Sequence, residues 1–177
     1  ADALDLSQED PKVLAKYGVD DPEFERDGAP RMVRNFCIAR RLVEAGTRLV
    51  QVNFIRHDDG KGGQGYDSHA SPGYPAHNPW CRDVLFPPTD AAFSALVEDL
   101  HDRGLLDETL VVWGGEFGRT VYSQGTLTHE NYGRDHHPRN FCMWAAGGGF
   151  RGGVVHGETD DFSYNVVKDP CHINDFN

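Results

Sequence analysis

The chain lacks most of the short motifs that announce a chemistry. It has no Walker P-loop, no GxGxxG after a strand and no GxSxG nucleophile elbow. Nothing therefore points to a dinucleotide or nucleoside triphosphate site, or to α/β-hydrolase catalysis. The four cysteines, Cys37, Cys81, Cys142 and Cys171, show no CxxC spacing, which excludes an obvious zinc knuckle or thioredoxin-type pair. No apolar run approaches the roughly 18 residues needed to span a membrane, and no signal-peptide pattern is present. Positive charge is scarce. With 17 Lys and Arg against 28 Asp and Glu the net charge is −11, which argues against a nucleic-acid partner. Serines are few, and only Ser68 lies inside a polar cluster.

What remains is enough for one domain. A chain of 177 residues can bury a core without disulfide staples. Its charge is uneven: residues 1–30 carry −6, residues 31–56 carry +5, and the rest carries −10. Residues 1–29 read as an acidic N-terminal segment, and residues 30–177 as an α/β domain, expected to be the C-terminal portion of a longer protein. The arginines Arg31, Arg34, Arg40, Arg41 and Arg48 read as the solvated face of a helix that pairs with acids elsewhere, or as an anion patch. Cys37 and Cys142 sit in apolar context and read as small core residues. A Cys81–Cys171 disulfide is compatible with export.

Periodicity supplies the elements. A short helix fits residues 11–17, with Pro11 in the first turn, where its missing N–H costs nothing. A stronger helix opens at Pro30, with Met32, Phe36, Ala39 and Val43 on one stripe and Gly46 as its stop. Residues 48–55 (RLVQVNFI) read as a strand. Residues 57–81 show no period, and a stretch of that length is usually functional or mobile. A helix follows from Pro87 to Gly104 on the stripe Phe93, Leu96, Val97, Leu100. Residues 109–113 (TLVVW) and 140–146 (NFCMWAA) read as strands buried on both faces. Residues 121–132 read as a polar loop and residues 152–157 as a short edge strand. That order predicts an open α/β sheet, whose sites form beyond the carboxyl ends of the strands.

Three polar clusters carry the chemistry. The first is Tyr66-Asp67-Ser68-His69. Asp67 and His69 share a face if locally extended, and a carboxylate with an imidazole suits zinc or another transition ion. Alone, so short a pair more often marks a solvated loop, or Asp67 capping a turn. The second, Gly115-Glu116-Phe117-Gly118-Arg119-Thr120, follows a predicted strand. Glu116 can ligate a metal or act as general base, and Arg119 can pair an oxyanion in bidentate fashion. An ion pair that stiffens a turn is the alternative. The third is Gly133-Arg134-Asp135-His136-His137-Pro138. Pro138 holds His137 extended, so Asp135 and His136 are alternatives for the same ion, with the other orienting it. Among the remaining histidines, His57 is the best outside candidate for a ligand.

Taken together, these clusters resemble a large bacterial family of the domain-of-unknown-function type, labelled sulfatase-like and grouped with the alkaline phosphatase superfamily. The family runs Trp-Asp-Thr-His, Leu-Leu-Asp-Glu-Thr-Leu-Val-Val, Gly-Glu-Phe-Gly-Arg-Thr, Gly-Arg-Asp-His and Ala-Gly-Gly-Gly. This chain has Tyr66 to His69, Leu105-Leu106-Asp107-Glu108-Thr109-Leu110-Val111-Val112, residues 115–120, residues 133–136 and residues 146–149 in the same order. The resemblance implies a three-layer α/β/α sandwich, here an incomplete portion, with one or two metals at the strand ends. It implies hydrolysis of phosphate or sulfate esters on small molecules or glycans. Asp67, His69, Glu116 and His136 would be ligands to a divalent metal, with Asp135 as the alternative to His136. Zinc is the first choice, and calcium, magnesium or manganese the others. Glu116, Arg119 and Arg134 would be the catalytic groups, the arginines lying near the anion. Export to the periplasm or cell envelope would follow. The superfamily's nucleophile lies near the N-terminus and has no counterpart in this chain, and no Cys-x-Pro-Ser-Arg occurs. A catalytically silent domain of the same fold, binding an anionic glycan or envelope ligand, is the second reading.

Overall fold

The computed structural model describes residues 2–22, 32–53, 66–70, 77–115, 117–125 and 127–176. Among the described residues, four helices come first in the chain and six short strands follow, a mixed arrangement of the general α/β class. They are α1 (Pro11–Lys16), α2 (Arg34–Glu44), α3 (Asn78–Trp80) and α4 (Phe86–Asp102), with β1 (Val111–Gly114), β2 (Gly118–Arg119), β3 (His136–His137), β4 (Met143–Ala146), β5 (Glu158–Thr159) and β6 (Val166–Lys168).

The helices follow their sequence signals. Asp10 caps α1 by accepting from the Lys12 N–H, and Pro11 takes the first helical position. On α2, Phe36, Cys37, Ala39 and Arg40 are buried, and the helix stops before Gly46, whose φ of 90° suits glycine. On α4, Ala92, Ala95, Leu96, Asp99 and Leu100 face inward. These two stripes meet with Phe36 edge-on to Phe93, ring centroids 6.2 Å apart. Leu6 and Tyr17 from the N-terminal segment and Val111 from β1 complete the core. Among the described residues no helix is long and apolar enough to cross a membrane.

Several expectations are corrected. The helix ending at Asp102 begins earlier than Pro87. Asn78–Trp80 and a π-helical turn over Cys81–Leu85 run straight into α4, so Pro87 and Pro88 sit within a continuous helical stretch, just after the π-helical turn. Arg40 is not on a solvated face but 1% exposed. Its charge is answered by three carboxylates, those of Glu9 in the N-terminal segment, Glu44 on α2 itself and Asp99 on α4. Cys142 is exposed rather than in the core, and Cys81 and Cys171 are both free thiols.

The sheet departs most. Pairing is antiparallel throughout: β1 with β4 in the register Val111↔Ala146, β2 with β3, and β5 with β6. Each pair forms its own two-stranded sheet, so the open parallel sheet is not found among the described residues. Of β1 only Val111 is buried, and Val112 and Trp113 are exposed. Residues 48–53 form no strand, although their composition favours one; residues 54 and 55 lie outside the described residues. A strand exists only against a partner, and none of the described residues pairs with residues 48–53. Instead a cleft of about 1680 Å³ separates them from β1, floored by α2 and α4. Residues 152–157 are also not a strand; the edge pairing falls further on, at β5 and β6.

Candidate metal centre

Two distant stretches of chain meet at one carboxylate oxygen. Residues 66–70 form one side. The other is the small antiparallel pair in which Gly118 faces His137 and Arg119 faces His136. The contact between them is made of backbone. The Arg134 N–H donates to the Ser68 carbonyl at 2.9 Å. Gly133 lies so close that a Cβ there would stand 2.3 Å from the Ser68 oxygen and 2.4 Å from the His69 carbonyl carbon. Gly118 is tighter still, with a Cβ placed 1.6 Å from the Asn140 oxygen. These two glycines permit the approach of strands that brings the clusters together.

Thr120 locks the pair from inside. It is 1% exposed. Its N–H donates to the Asp135 carbonyl at 2.9 Å, and its Oγ1 accepts from the Asp135 N–H at 3.0 Å while donating to the Tyr122 carbonyl at 2.7 Å. Residue 135 is therefore held by its backbone, and His136 projects from a fixed base.

Asp67 Oδ1 is the hub. It lies 2.7 Å from His69 Nε2, 2.8 Å from His136 Nε2 and 2.6 Å from Arg119 Nη1. The two imidazole nitrogens are 3.0 Å apart. One carboxylate oxygen has about two lone pairs, so three nitrogens oversubscribe it. Burial opposes ionisation of Asp67, but the hydrogen bonds from His136 and Arg119 outweigh it and hold the carboxyl below its ordinary value. His69 is 7% exposed, whereas His136 is open to solvent on one side. The Phe117 ring meets the His136 ring edge-on at 4.8 Å.

Ligand atoms of Asp67, His69 and His136 all lie within 4.8 Å of one another. Donors about 2.1 Å from an ion and at right angles around it are separated by about 3.0 Å, and in a tetrahedron by about 3.4 Å. The observed triangle fits one face of an octahedral ion, and a shift of a few tenths of an ångström fits a tetrahedral one.

The other expected site residues are placed differently. The Asp135 carboxylate accepts from the His136 N–H at 2.7 Å and stands outside the group of three; its bond fixes the backbone of His136. Arg134 does not reach the hub either, for its Nη1 donates to the Thr120 carbonyl at 2.7 Å. His137 turns away and stacks on Tyr164, centroids 4.2 Å apart. Glu116 and His57 lie outside the described residues.

A family model described as "Protein of unknown function (DUF1501)" matches residues 1–177. The chain belongs to the DUF1501 family. Comparison with the curated proteins and with the solved structures gave no match. Sequence reasoning about this DUF1501 chain missed the parts that support the hub. Thr120 was in plain view at the end of the second cluster, but a lone threonine signals nothing until its three backbone partners are known. Phe117, between two candidate residues, carries no ligand atom and so gives no signal in the sequence.

Proposed function

We propose that this chain carries the metal-binding part of a divalent-metal-dependent hydrolase of phosphate or sulfate esters, built on an alkaline-phosphatase-like α/β/α sandwich and exported to the cell envelope. The observation that carries the reading is the convergence of Asp67, His69 and His136 on one point, from stretches 67 residues apart, with Arg119 bonded to the same carboxylate oxygen. Two imidazoles and one carboxylate favour zinc or another transition ion over calcium or magnesium, which prefer all-oxygen shells. A bound ion supplies a Lewis acid toward an ester oxygen. The protein's own part is to fix that donor set. Thr120 and Asp135 hold His136, the Arg134 N–H ties down the backbone beside His69, and Arg119 brings a guanidinium to the edge of the centre for the charge of the group transferred. Glu116, next to Phe117 in the same cluster, would be a further ligand or base, as the resemblance implies.

Metal analysis and a turnover screen test the proposal. Gently purified protein is expected to retain close to one equivalent of a transition ion, lost in Asp67→Asn and His136→Ala. Less than about 0.2 equivalents would sink the metal reading, since such ions normally survive purification. Hydrolysis of aryl phosphates or aryl sulfates should fall by about 100-fold or more in Glu116→Gln. Metal retention without turnover of either ester class would favour a silent binding domain.

A further inference from the structure

A second cavity opens beside the hub, with a volume of about 380 Å³, within the range of small-molecule sites. Tyr66 and Arg119 line both this cavity and the large cleft that reaches Asp67. The Arg119 guanidinium therefore stands in the wall between them. Arg82, Arg119 and Arg134 line the smaller cavity together, and among the described residues no acidic side chain does. In a chain of net charge −11 that is a local reversal of sign, and it calls for an explanation.

Two of the three cations are answered by neighbouring carboxylates. Arg119 bonds Asp67, and Arg82 bonds Asp83. Arg134 has no carboxylate partner among the described residues. Its single bond, from Nη1 to the Thr120 carbonyl, fixes the side chain while leaving Nε and Nη2, one full edge of the guanidinium fork. That edge matches a carboxylate or another oxyanion in bidentate geometry. The rest of the lining is suited to a flat apolar body. Tyr66 and Phe86 stack at 6.0 Å with planes 21° apart, and Tyr132 lies in the same wall. Asn78 adds an amide whose oxygen already accepts from Ser68 Oγ at 2.7 Å, which leaves its NH₂ to donate.

We infer that this cavity is a binding subsite for a ring bearing its own carboxylate, with Arg134 as the residue that selects for that charge. Joined to the proposed hydrolase, the inference narrows the substrate to esters of carboxylated rings, such as an acidic sugar or an aryl acid; that narrowing rests on the hydrolase reading, whereas the subsite does not.

The test has a binding arm and a turnover arm. Benzoate and benzamide, alike in size and shape, are titrated into the purified protein by calorimetry or ligand-observed NMR. Benzoate is expected to bind at least about tenfold more tightly, as for a lost charge-assisted pair of bonds. The preference should fall toward unity in Arg134→Gln and be partly kept in Arg134→Lys. Equal affinity of the wild-type protein for the two probes would overturn the inference without recourse to any variant. So would a preference that survives Arg134→Gln, or one abolished by EDTA, which would place the carboxylate on a metal. In the turnover arm, 4-carboxyphenyl phosphate and sulfate should exceed their phenyl counterparts in kcat/KM by a similar factor, and that ratio should collapse in Arg134→Gln. Ester turnover with no carboxylate preference in either arm would remove the subsite and leave the hydrolase. Carboxylate-selective binding with no turnover of any ester would do the reverse.

Discussion

Thr120 shows how much of this site depends on one hydroxyl. Fully enclosed, it accepts from the Asp135 N–H and donates to the Tyr122 carbonyl, so both its donor and acceptor capacities are used. Thr120→Val keeps the shape and removes the oxygen. Two backbone groups then lose their partner, at a cost of about 1–2 kcal/mol. Thr120→Ser keeps the hydroxyl and should cost less than half as much. Urea unfolding of the two variants measures the difference, and equal losses would mean that the methyl group, not the hydroxyl, matters here. The same contrast should appear in metal retention, since residue 135 positions His136. The residues of the candidate centre were legible because Asp-x-His and Gly-Arg-Asp-His are rare mixtures of ligand types. Which of Asp135 and His136 would join Asp67 was not legible. It depends on the one-residue register of the β2–β3 pair, where Arg119 faces His136, and a shift of one residue would turn the opposite side chains to the hub.

At the scale of elements, the N-terminal segment and two helices are joined by a buried ion cluster. Arg40 on α2 reaches Asp99 on α4 at 2.7 Å, Glu44 at 2.7 Å, and Glu9. Tyr17 Oη donates to Asp99 at 3.0 Å, and Arg103 closes the ring on Asp99 at 2.6 Å. Removing one charge from such a cluster strands the others, so Arg40→Met should destabilise the fold by about 3 kcal/mol. Glu9 gives the pH dependence. Burial opposes its ionisation, but hydrogen bonds from Arg40 and Arg41 win and place its carboxyl below the ordinary 4.5. A carboxyl depressed in the folded state contributes stability above about pH 4.5, which is lost as the pH falls through the folded value. The stability gap between wild type and Arg40→Met should accordingly be widest near neutrality and narrow toward about pH 3. Thermal melts across that range check it, and a gap independent of pH would assign the effect to packing alone. Sequence periodicity found α1, α2 and α4 because an apolar stripe is nearly sufficient to define a helix. It mistook Arg40 for a solvated residue because its carboxylate partners are 4, 31 and 59 residues away. The strands were harder for the same reason. An apolar run such as residues 48–53 states a preference for β geometry, while pairing and burial are decided by what lies alongside.

For the whole molecule, the general α/β class is legible in the mix of helix and strand signals, whereas the order of elements and the sheet are not. The paired edges of β1 and β4 stand beside a cleft of about 1680 Å³, and the candidate centre sits where Asp67 and Phe117 line that cleft. Its donors come from residues 67, 69 and 136, so an ion there would tie the segment before α3 to the β2–β3 pair. Those parts otherwise meet through few backbone bonds, among them that from Arg134 to Ser68. An ion that binds the folded chain and not the unfolded one must stabilise it by mass action, by about 2.7 kcal/mol at a free concentration 100 times the Kd. For a domain of this size that is a rise in Tm of about 5–10 °C. Protein freed of metal with EDTA and titrated with zinc should show this rise, and manganese, which ranks below zinc for nitrogen donors, should give a smaller one at equal concentration. His136→Ala and His69→Ala should each abolish most of the zinc response while leaving the melting of the EDTA-treated form within a few degrees. A zinc-induced rise that persists in both variants would place the ion elsewhere, and no rise in the wild-type chain would leave the convergence on Asp67 as a hydrogen-bonded cluster, with the Phe117 ring edge-on to His136 and Arg119 as its counter-charge.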